Sequence, residues 1–452
     1  MLAAFRKELG SLLLLAGPII LAQFAEKGLT FIDTLMVGRL GSDALAGIAL
    51  GSVVFMLILI LTTAVLFAVG PFVSQAYGSG DRNESGRAAR QGFWLAVLLF
   101  VPGFLLLYNS APLLLLIGQQ PETVTLSSSY LRVISFGLLP ALLFTSQRSF
   151  LEGIGDTRPI MVVTLLAVLL KVLANHALMF GNWGLPELGL NGTAYSTVLV
   201  YAFMLLVLVP YIGVRHRDYG IFRNLGRPDF GMMRNLLKVG IPIGLTLGFE
   251  SSLFSITALL MGLFGATALA AHQIAIQTAS ITFMVPTGLA IATSVRVGQA
   301  VGRRDPVGVT RVGTIGVGLS VAVMCFPSLL YWLAPDLVIS LYLGAPTPET
   351  TEVRQLARTF LGIAAMFQIV DGIQVSAIGA LRGLKDTRVP MLLTLVAYWL
   401  LGLPTSIGLA FGLKLGGPGL WFGLVVGLTV AAIFLLERFR RERGRLFGLI
   451  PS

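Results

Sequence analysis

Residues 12–41 read LLLLAGPIILAQFAEKGLTFIDTLMVGRLG, and residues 236–265 read LLKVGIPIGLTLGFESSLFSITALLMGLFG. Laid over one another at an offset of 224, they share eleven of thirty positions, among them Pro18/Pro242, Glu26/Glu250, Gly38/Gly262 and Gly41/Gly265. The same offset brings Val73, Gln75, Ala76, Gly78 and Asp81 onto Val297, Gln299, Ala300, Gly302 and Asp305. Further on, at 230, Leu151, Gly153, Asp156, Thr157 and Arg158 meet Leu381, Gly383, Asp386, Thr387 and Arg388. Coincident leucines are common in apolar chains, whereas Pro, Glu, Asp and Arg in one register are not. The chain is an internal repeat of two halves.

Each half is too apolar to be soluble. Of 452 residues, 56% are hydrophobic and 12% charged, and the mean hydropathy is +0.86. A soluble domain carries about 25% charged residues. This excludes a cytosolic enzyme, a disordered chain and a secreted disulfide scaffold; the single cysteine, Cys325, permits no internal disulfide. A formal charge of +11 suggests nucleic acid in a soluble protein, but basic cytoplasmic loops account for it in a membrane protein, so no nucleic-acid partner is expected.

A spanning helix needs roughly 20 apolar residues. Twelve such segments are expected, near 11–36, 45–70, 92–109, 130–148, 160–180, 191–213, 236–261, 269–294, 313–334, 357–381, 390–411 and 418–436. Runs such as Leu57 to Leu61 do not alternate as barrel strands do. With both termini cytoplasmic, 25 of the 32 basic residues fall on the inner side and five on the outer, which fixes that orientation. Arg6-Lys7 before an apolar run imitates a signal peptide, but the same segment recurs in mid-chain.

The fold expected is all-α and polytopic. Its twelve transmembrane helices form two six-helix lobes related by a pseudo-twofold axis along the membrane normal. The expected organisation is an N-lobe over 1–213, a basic cytoplasmic linker over 214–235, a C-lobe over 236–436 and a basic cytoplasmic tail over 437–452.

Six ionisable residues fall inside the spans: Glu26, Lys27, Asp33, Lys171, Glu250 and Asp371. Each costs about 2.5–3.5 kcal/mol at mid-membrane, so each calls for a reason. Glu250 and Asp371 have no basic neighbour in their own spans and read as a functional pair. Glu26 reads either as half of an ion pair with Lys27 or Lys171, or as a charge facing a cationic substrate. Asp33 has polar candidates in Asn175 and Thr197. Pro18 removes a backbone hydrogen bond from the helix that carries Asp33 and permits a kink; a static kink reads equally well. The histidines fit no metal motif and no phosphate-binding GxxxxGK[ST] loop is present, so neither a cofactor nor ATP is implied. No nucleophile–base constellation marks an enzyme.

Twelve spans in two halves resemble the multidrug and toxic compound extrusion (MATE) family. Leu247-Gly-Phe-Glu250-Ser, Phe367-Gln-Ile-Val-Asp371-Gly and Ala380-Leu-Arg-Gly-Leu-Lys-Asp386-Thr-Arg resemble its NorM-type branch over essentially the whole chain. The resemblance implies a bacterial inner-membrane antiporter, with both termini cytoplasmic, exporting amphipathic organic cations such as drugs and dyes in exchange for H+ and/or Na+. It implies that Glu250 and Asp371 serve the cation site of the C-lobe, with Na+ a candidate there. Asp33, Asn175 and Thr197 fall where the family places its N-lobe proton or ion site. Glu26, Gln273, Phe283 and Phe367 are candidates for the substrate cleft, although the two phenylalanines read first as core aromatics. Met179 departs from members with a second N-lobe carboxylate; Phe283 and Phe367 depart from relatives with tyrosine. Membrane lipids are the only other partners expected, and the chain is expected to act as a monomer. The alternative is a lipid-linked oligosaccharide or lipid flippase of the same superfamily, for which cationic rather than acidic residues in the cleft are expected.

Overall fold

The computed structural model describes residues 2–40, 42–223 and 225–446. Gly41, the last residue of the first repeat segment, and residues 447–452 of the basic tail lie outside them. Among the described residues, twelve helices are long and apolar enough to cross a membrane. In chain order they are α1 (Phe5–Val37), α2 (Gly47–Gly78), α3 (Arg82–Tyr108), α4 (Pro121–Ile154), α5 (Arg158–Phe180), α6 (Gly189–Arg215), α7 (Phe230–Gly262), α8 (Ala266–Gly302), α9 (Pro306–Leu333), α10 (Pro348–Gly383), α11 (Arg388–Gly412) and α12 (Gly417–Arg445). The all-helical, twelve-span expectation is met. Helices suit this composition because in lipid every backbone N–H and C=O must be paired within the segment. Leu14, Leu206 and Leu259 are more than two-thirds exposed, while Ala16, Ala167 and Ala271 are fully buried. Large apolar side chains thus face outward and small ones let helices approach, as membrane packing favours.

Several helices outrun their apolar segments. α4 has 34 residues and α10 has 36, because polar turns continue the helix beyond the hydrocarbon. Short helices not foreseen from hydropathy, Ser110–Leu116 and Pro335–Leu343, follow α3 and α9.

The repeat extends to individual hydrogen bonds. After α2, Gly80 is left-handed (φ 80°), Asp81 N donates to Ala76 O at 3.0 Å, and the Asp81 carboxylate accepts from Glu84 N at 2.9 Å. After α8, Arg304 takes the same conformation (φ 56°), Asp305 N donates to Ala300 O at 3.0 Å, and the Asp305 carboxylate accepts from Gly308 N at 2.7 Å. Each is a helix stop followed by an N-cap start. Gly155 and Lys385 are matched in the same way, with Asp156 N on Leu151 O and Asp386 N on Leu381 O.

The chain forms two compact units, one of residues 21–244 and the other of residues 1–20 with 245–452. The divisions fall inside α1 and α7, each two residues after the repeat's proline, Pro18 and Pro242. Within the first unit, a Cβ on Gly240 of α7 would lie 2.3 Å from the Val65 carbonyl oxygen of α2. Within the second, one on Gly288 of α8 would lie 2.5 Å from Ile20 of α1. These close approaches bind the early part of α7 and of α1 into their units. The second unit buries Trp421, Tyr331, Tyr398 and Phe360 in its core, together with Leu12 and Ile19.

Candidate ion and substrate sites

In the unit of residues 21–244, α5 carries Lys171, Asn175 and Met179 at four-residue spacing, on one face of the helix. All three are buried. They face Asp33 of α1 and the Thr193/Thr197 pair of α6. Asn175 donates to Asp33 Oδ1 at 2.9 Å, and Lys171 Nζ lies 2.9 Å from the same oxygen. Lys171 also donates to Thr197 Oγ1 at 2.5 Å. Thr193 Oγ1 lies 3.3 Å from Asp33 Oδ1 and 3.3 Å from Met179 Sδ. Asp33, Asn175 and Thr197 therefore share one network, with Lys171 between Asp33 and Thr197 and Thr193 as a further member.

That arrangement corrects the ion-pair expectation for Glu26. Lys171 belongs to Asp33, and Lys27 is on an exposed face. The partner of Glu26 is Arg148 of α4, whose guanidinium bonds Glu26 and also donates through Nε to Glu152 Oε1 at 2.7 Å. Arg148 reads from sequence as a residue at the mouth of a span, but it is 7% exposed. The i,i+4 spacing of Arg148 and Glu152 is the signal that points to it.

Both networks border one cavity of about 390 Å³, whose lining residues all fall within 21–244. Ion-bearing groups Glu26, Asp33, Arg148 and Lys171 line it with Phe55, Met56, Phe144, Tyr130, Tyr201 and Met204. The volume and the few polar groups in an apolar, aromatic wall suit a small organic ligand. With all groups ionised, the lining carboxylates Glu26 and Asp33 balance Arg148 and Lys171, and Glu152, which bonds Arg148 from outside the lining, adds one negative charge behind the wall.

In the other unit, Phe254 of α7 meets Phe367 of α10 edge-on, with ring centroids 5.9 Å apart. The two helices run antiparallel. Glu250 is one turn before Phe254 and Asp371 one turn after Phe367, so both carboxylates lie on the same side of that contact. They act on one another electrostatically. Asp371 is 3% exposed, and its Oδ1 has no hydrogen-bond partner among the described residues. The basic group whose charge acts on Glu250 is Arg382, in the last turn of α10, which reads from sequence as a loop residue. Among the described residues no three His, Cys, Asp or Glu side chains cluster; a cation at the Glu250–Asp371 pair would need neutral oxygens as well.

The remaining candidates are dispersed. Phe367 is buried between Phe254 and Trp421, as a core aromatic is. Phe283 sits at the break between the two parts of α8, Ala266–Thr282 and Met284–Gly302. Gln273 is exposed on α8. Of the four cleft candidates only Glu26 lines the cavity. Pro18 lies inside a continuous α1.

With this geometry in view, the sequence profile described as MatE matches residues 18–176 and 242–407. The chain belongs to the MatE family. Its two matched segments begin at Pro18 and Pro242, the register partners of the repeat. A protein of Deinococcus radiodurans named "Probable multidrug resistance protein NorM" is 42% identical over 441 residues, covering 97% of each chain. A protein of Pseudomonas aeruginosa with the same name is 40% identical, covering 97% of this chain and 90% of its own. Among solved structures, an outward-facing multidrug resistance MATE family transporter superposes with TM-score 0.88 at 20% identity, over 97% of this chain and 96% of that one. The eukaryotic MATE transporter AtDTX14 gives 0.83 at 22% identity, over 98% of this chain and 99% of that one. These structures share the fold of this MatE protein.

Proposed function

We propose that this chain is a secondary active multidrug efflux antiporter of the bacterial inner membrane, with both termini cytoplasmic, exporting amphipathic organic cations in exchange for H+ and/or Na+. The observation that carries this reading is the contrast between its carboxylates. Asp33 is compensated by Lys171 at 2.9 Å, and Glu26 by Arg148. Asp371 is buried with Oδ1 unpartnered and a second carboxylate, Glu250, acting on it. With the charge of Glu250 acting on it, the buried Asp371 carboxylate is costly unless the pair takes up a proton or a metal cation. It suits the coupling ion.

The cavity between α1, α2, α4, α5 and α6 suits the cargo. Aromatic and methionine side chains hold a hydrophobic body without demanding one shape, and the residual negative charge favours a cation. Ion uptake at Glu250 and Asp371 drives release provided ion and drug favour different conformations of the protein. One-for-one exchange of monovalent cations moves no net charge and draws only on the chemical gradient of the ion; any excess charge moved is worth about 2.3 kcal/mol per 100 mV. The cations in the cavity, Arg148 and Lys171, are each neutralised by a carboxylate, which disfavours a pyrophosphate-bearing flippase substrate. The monomer is proposed as the working unit.

The test is dye accumulation in a bacterial strain lacking its own efflux pumps. Expression of the wild-type chain is expected to lower intracellular ethidium several-fold, and Asp371→Asn at equal membrane abundance to abolish the effect. Equal accumulation with and without the wild-type chain would overturn the reading.

A further inference from the structure

A strip of hydroxyl and amide groups runs between α8, α9 and α10. The hydroxyl of Tyr342, on the short helix after α9, lies 3.1 Å from Thr278 Oγ1. Thr282 is one turn along α8 on the same face. Its Oγ1 lies 3.2 Å from the Tyr331 hydroxyl and accepts from Gln368 Nε2 at 2.5 Å. Gln368 Nε2 also donates to the Ala279 carbonyl oxygen at 3.4 Å, so the amide is fixed with its nitrogen toward α8. Its Oε1 has no partner among the described residues. Asp371 follows three residues later on the same side of α10, and its Oδ1 is likewise unpartnered. Tyr331, Gln368 and Asp371 are 1%, 1% and 3% exposed, whereas Tyr342 is 40% exposed. One end of the strip therefore reaches the surface and the other reaches the carboxylate.

With both termini cytoplasmic, the α9–α10 connection lies on the outer side. Arg358 and Asp336, ion-paired at 2.6 Å and each more than half exposed, mark that side. Along α10 from Arg358, Gln368 is roughly 15 Å deeper and Asp371 roughly 20 Å deeper. Each threonine spends its proton on its own helix, Thr278 on Ile274 O at 2.7 Å and Thr282 on Ala279 O at 3.0 Å. What they turn toward the strip is oxygen lone pairs.

The fold does not require these groups. In the other half, the offset of 224 matches Val54 and Ile58 to Thr278 and Thr282, and the offset of 230 matches Leu138 and Ala141 to Gln368 and Asp371. There Leu138 of α4 and Ile58 of α2 close on Gly103 of α3, where a Cβ would lie 2.7 and 3.3 Å from them. Threonines between membrane helices often serve only as hydrogen-bonding glue, but the matched interface is packed without them. The polar strip occurs in the half that carries the buried carboxylate.

We propose that this strip is the route by which the coupling ion, hydronium or Na+, passes from the outer side to Asp371. It rests on the reading of Glu250 and Asp371 as the coupling-ion site, and adds how a carboxylate buried among helices is reached. A small cation leaving water needs oxygens at each successive step. The hydroxyls of Tyr342, Thr278, Thr282 and Tyr331, and then Gln368 Oε1, supply them.

The test uses the full-length protein with its native cysteine replaced, Cys325→Ala, in right-side-out membrane vesicles. Ag+, a small monovalent cation that reacts with thiols, is added outside and quenched, and the free thiol left on the purified protein is counted. Thr278→Cys and Thr282→Cys are both expected to lose their thiol, Thr278→Cys sooner. In transport, Thr282→Val is expected to slow efflux several-fold at low external ion and to recover as external ion is raised, while Thr282→Ser keeps the wild-type rate. A packing defect would not be relieved by ion. A Thr282→Cys thiol that survives external Ag+, or Thr282→Val transport equal to wild type at every ion concentration, overturns the route. Uphill efflux retained in Asp371→Asn, with Thr282→Cys still reacting, overturns the ion-site reading beneath it rather than access along the strip.

Discussion

Lys171 Nζ lies 2.9 Å from Asp33 Oδ1, in a network that also holds Asn175 and Thr197. The intramembrane acid on α1 thus sits against a buried ammonium, while Asp371 on α10 has an oxygen with no partner among the described residues. Several consequences separate the two sites.

Lys171→Met leaves Asp33 charged and uncompensated. Breaking a buried pair from one side costs about 3–5 kcal/mol, so the melting temperature of the purified protein should fall sharply. Asp33→Asn with Lys171→Met should restore most of that loss. A double variant no more stable than Lys171→Met would show that the pair is not the source of the cost.

Asp33→Asn is expected to reduce drug efflux more than Glu26→Gln. Asp33 joins three helices through one oxygen network, whereas Glu26 is one of two carboxylates on Arg148, and Glu152 remains to hold that guanidinium. Minimum inhibitory concentrations at matched expression decide it; equal losses would place Glu26 in the transport site itself.

Asp371→Asn and Glu250→Gln should each abolish efflux at normal membrane abundance. Removing the charge of a buried, unpartnered carboxylate relieves desolvation. Asp371→Asn should therefore melt no lower than wild type in Na+-free buffer, and a large drop there would point to a structural role instead.

Outside the membrane, Asp156 accepts from His216 Nε2 at 2.9 Å and from Tyr211 at 2.7 Å. The hydrogen bond from His216, then that from Tyr211, hold its carboxyl below the ordinary value of 3.8 against the opposing effect of burial. A depressed carboxyl contributes stability above its unfolded value and loses it as pH falls through the folded one. Proteolysis within 214–229 should therefore accelerate as pH drops below about 4. Asp156→Asn should flatten that acid limb; an unchanged pH profile would remove Asp156 as its cause.

Lys385 adopts the left-handed conformation that glycine, Gly155, adopts at the matched position. Lys385→Gly should stabilise the protein by up to about 1 kcal/mol, and Gly155→Lys should destabilise it by a similar amount. Thermal melts of the two variants check the pair.

The spans, the repeat and the Glu250–Asp371 pair were legible in the sequence because composition and register carry them. Proline, glutamate and aspartate in one frame match the two halves. Partner choice was not legible, because it depends on which helix faces which. Lys171 reads as a partner for Glu26 until α5 is seen to face Asp33. Arg148 reads as a loop-side charge until α4 is seen to extend through Ile154. Its register partner in the second half is Ile378, so the basic group whose charge acts on Glu250 is instead Arg382, one turn further along α10.

The most direct test of the central claim is drug efflux from proteoliposomes containing only this protein, with a Na+ gradient and a pH gradient imposed separately. The account predicts uphill drug movement driven by the inward gradient of at least one of the two ions, and none with Asp371→Asn under the same gradient. Drug that only equilibrates under either gradient, or that moves uphill equally well with Asp371→Asn, would contradict it.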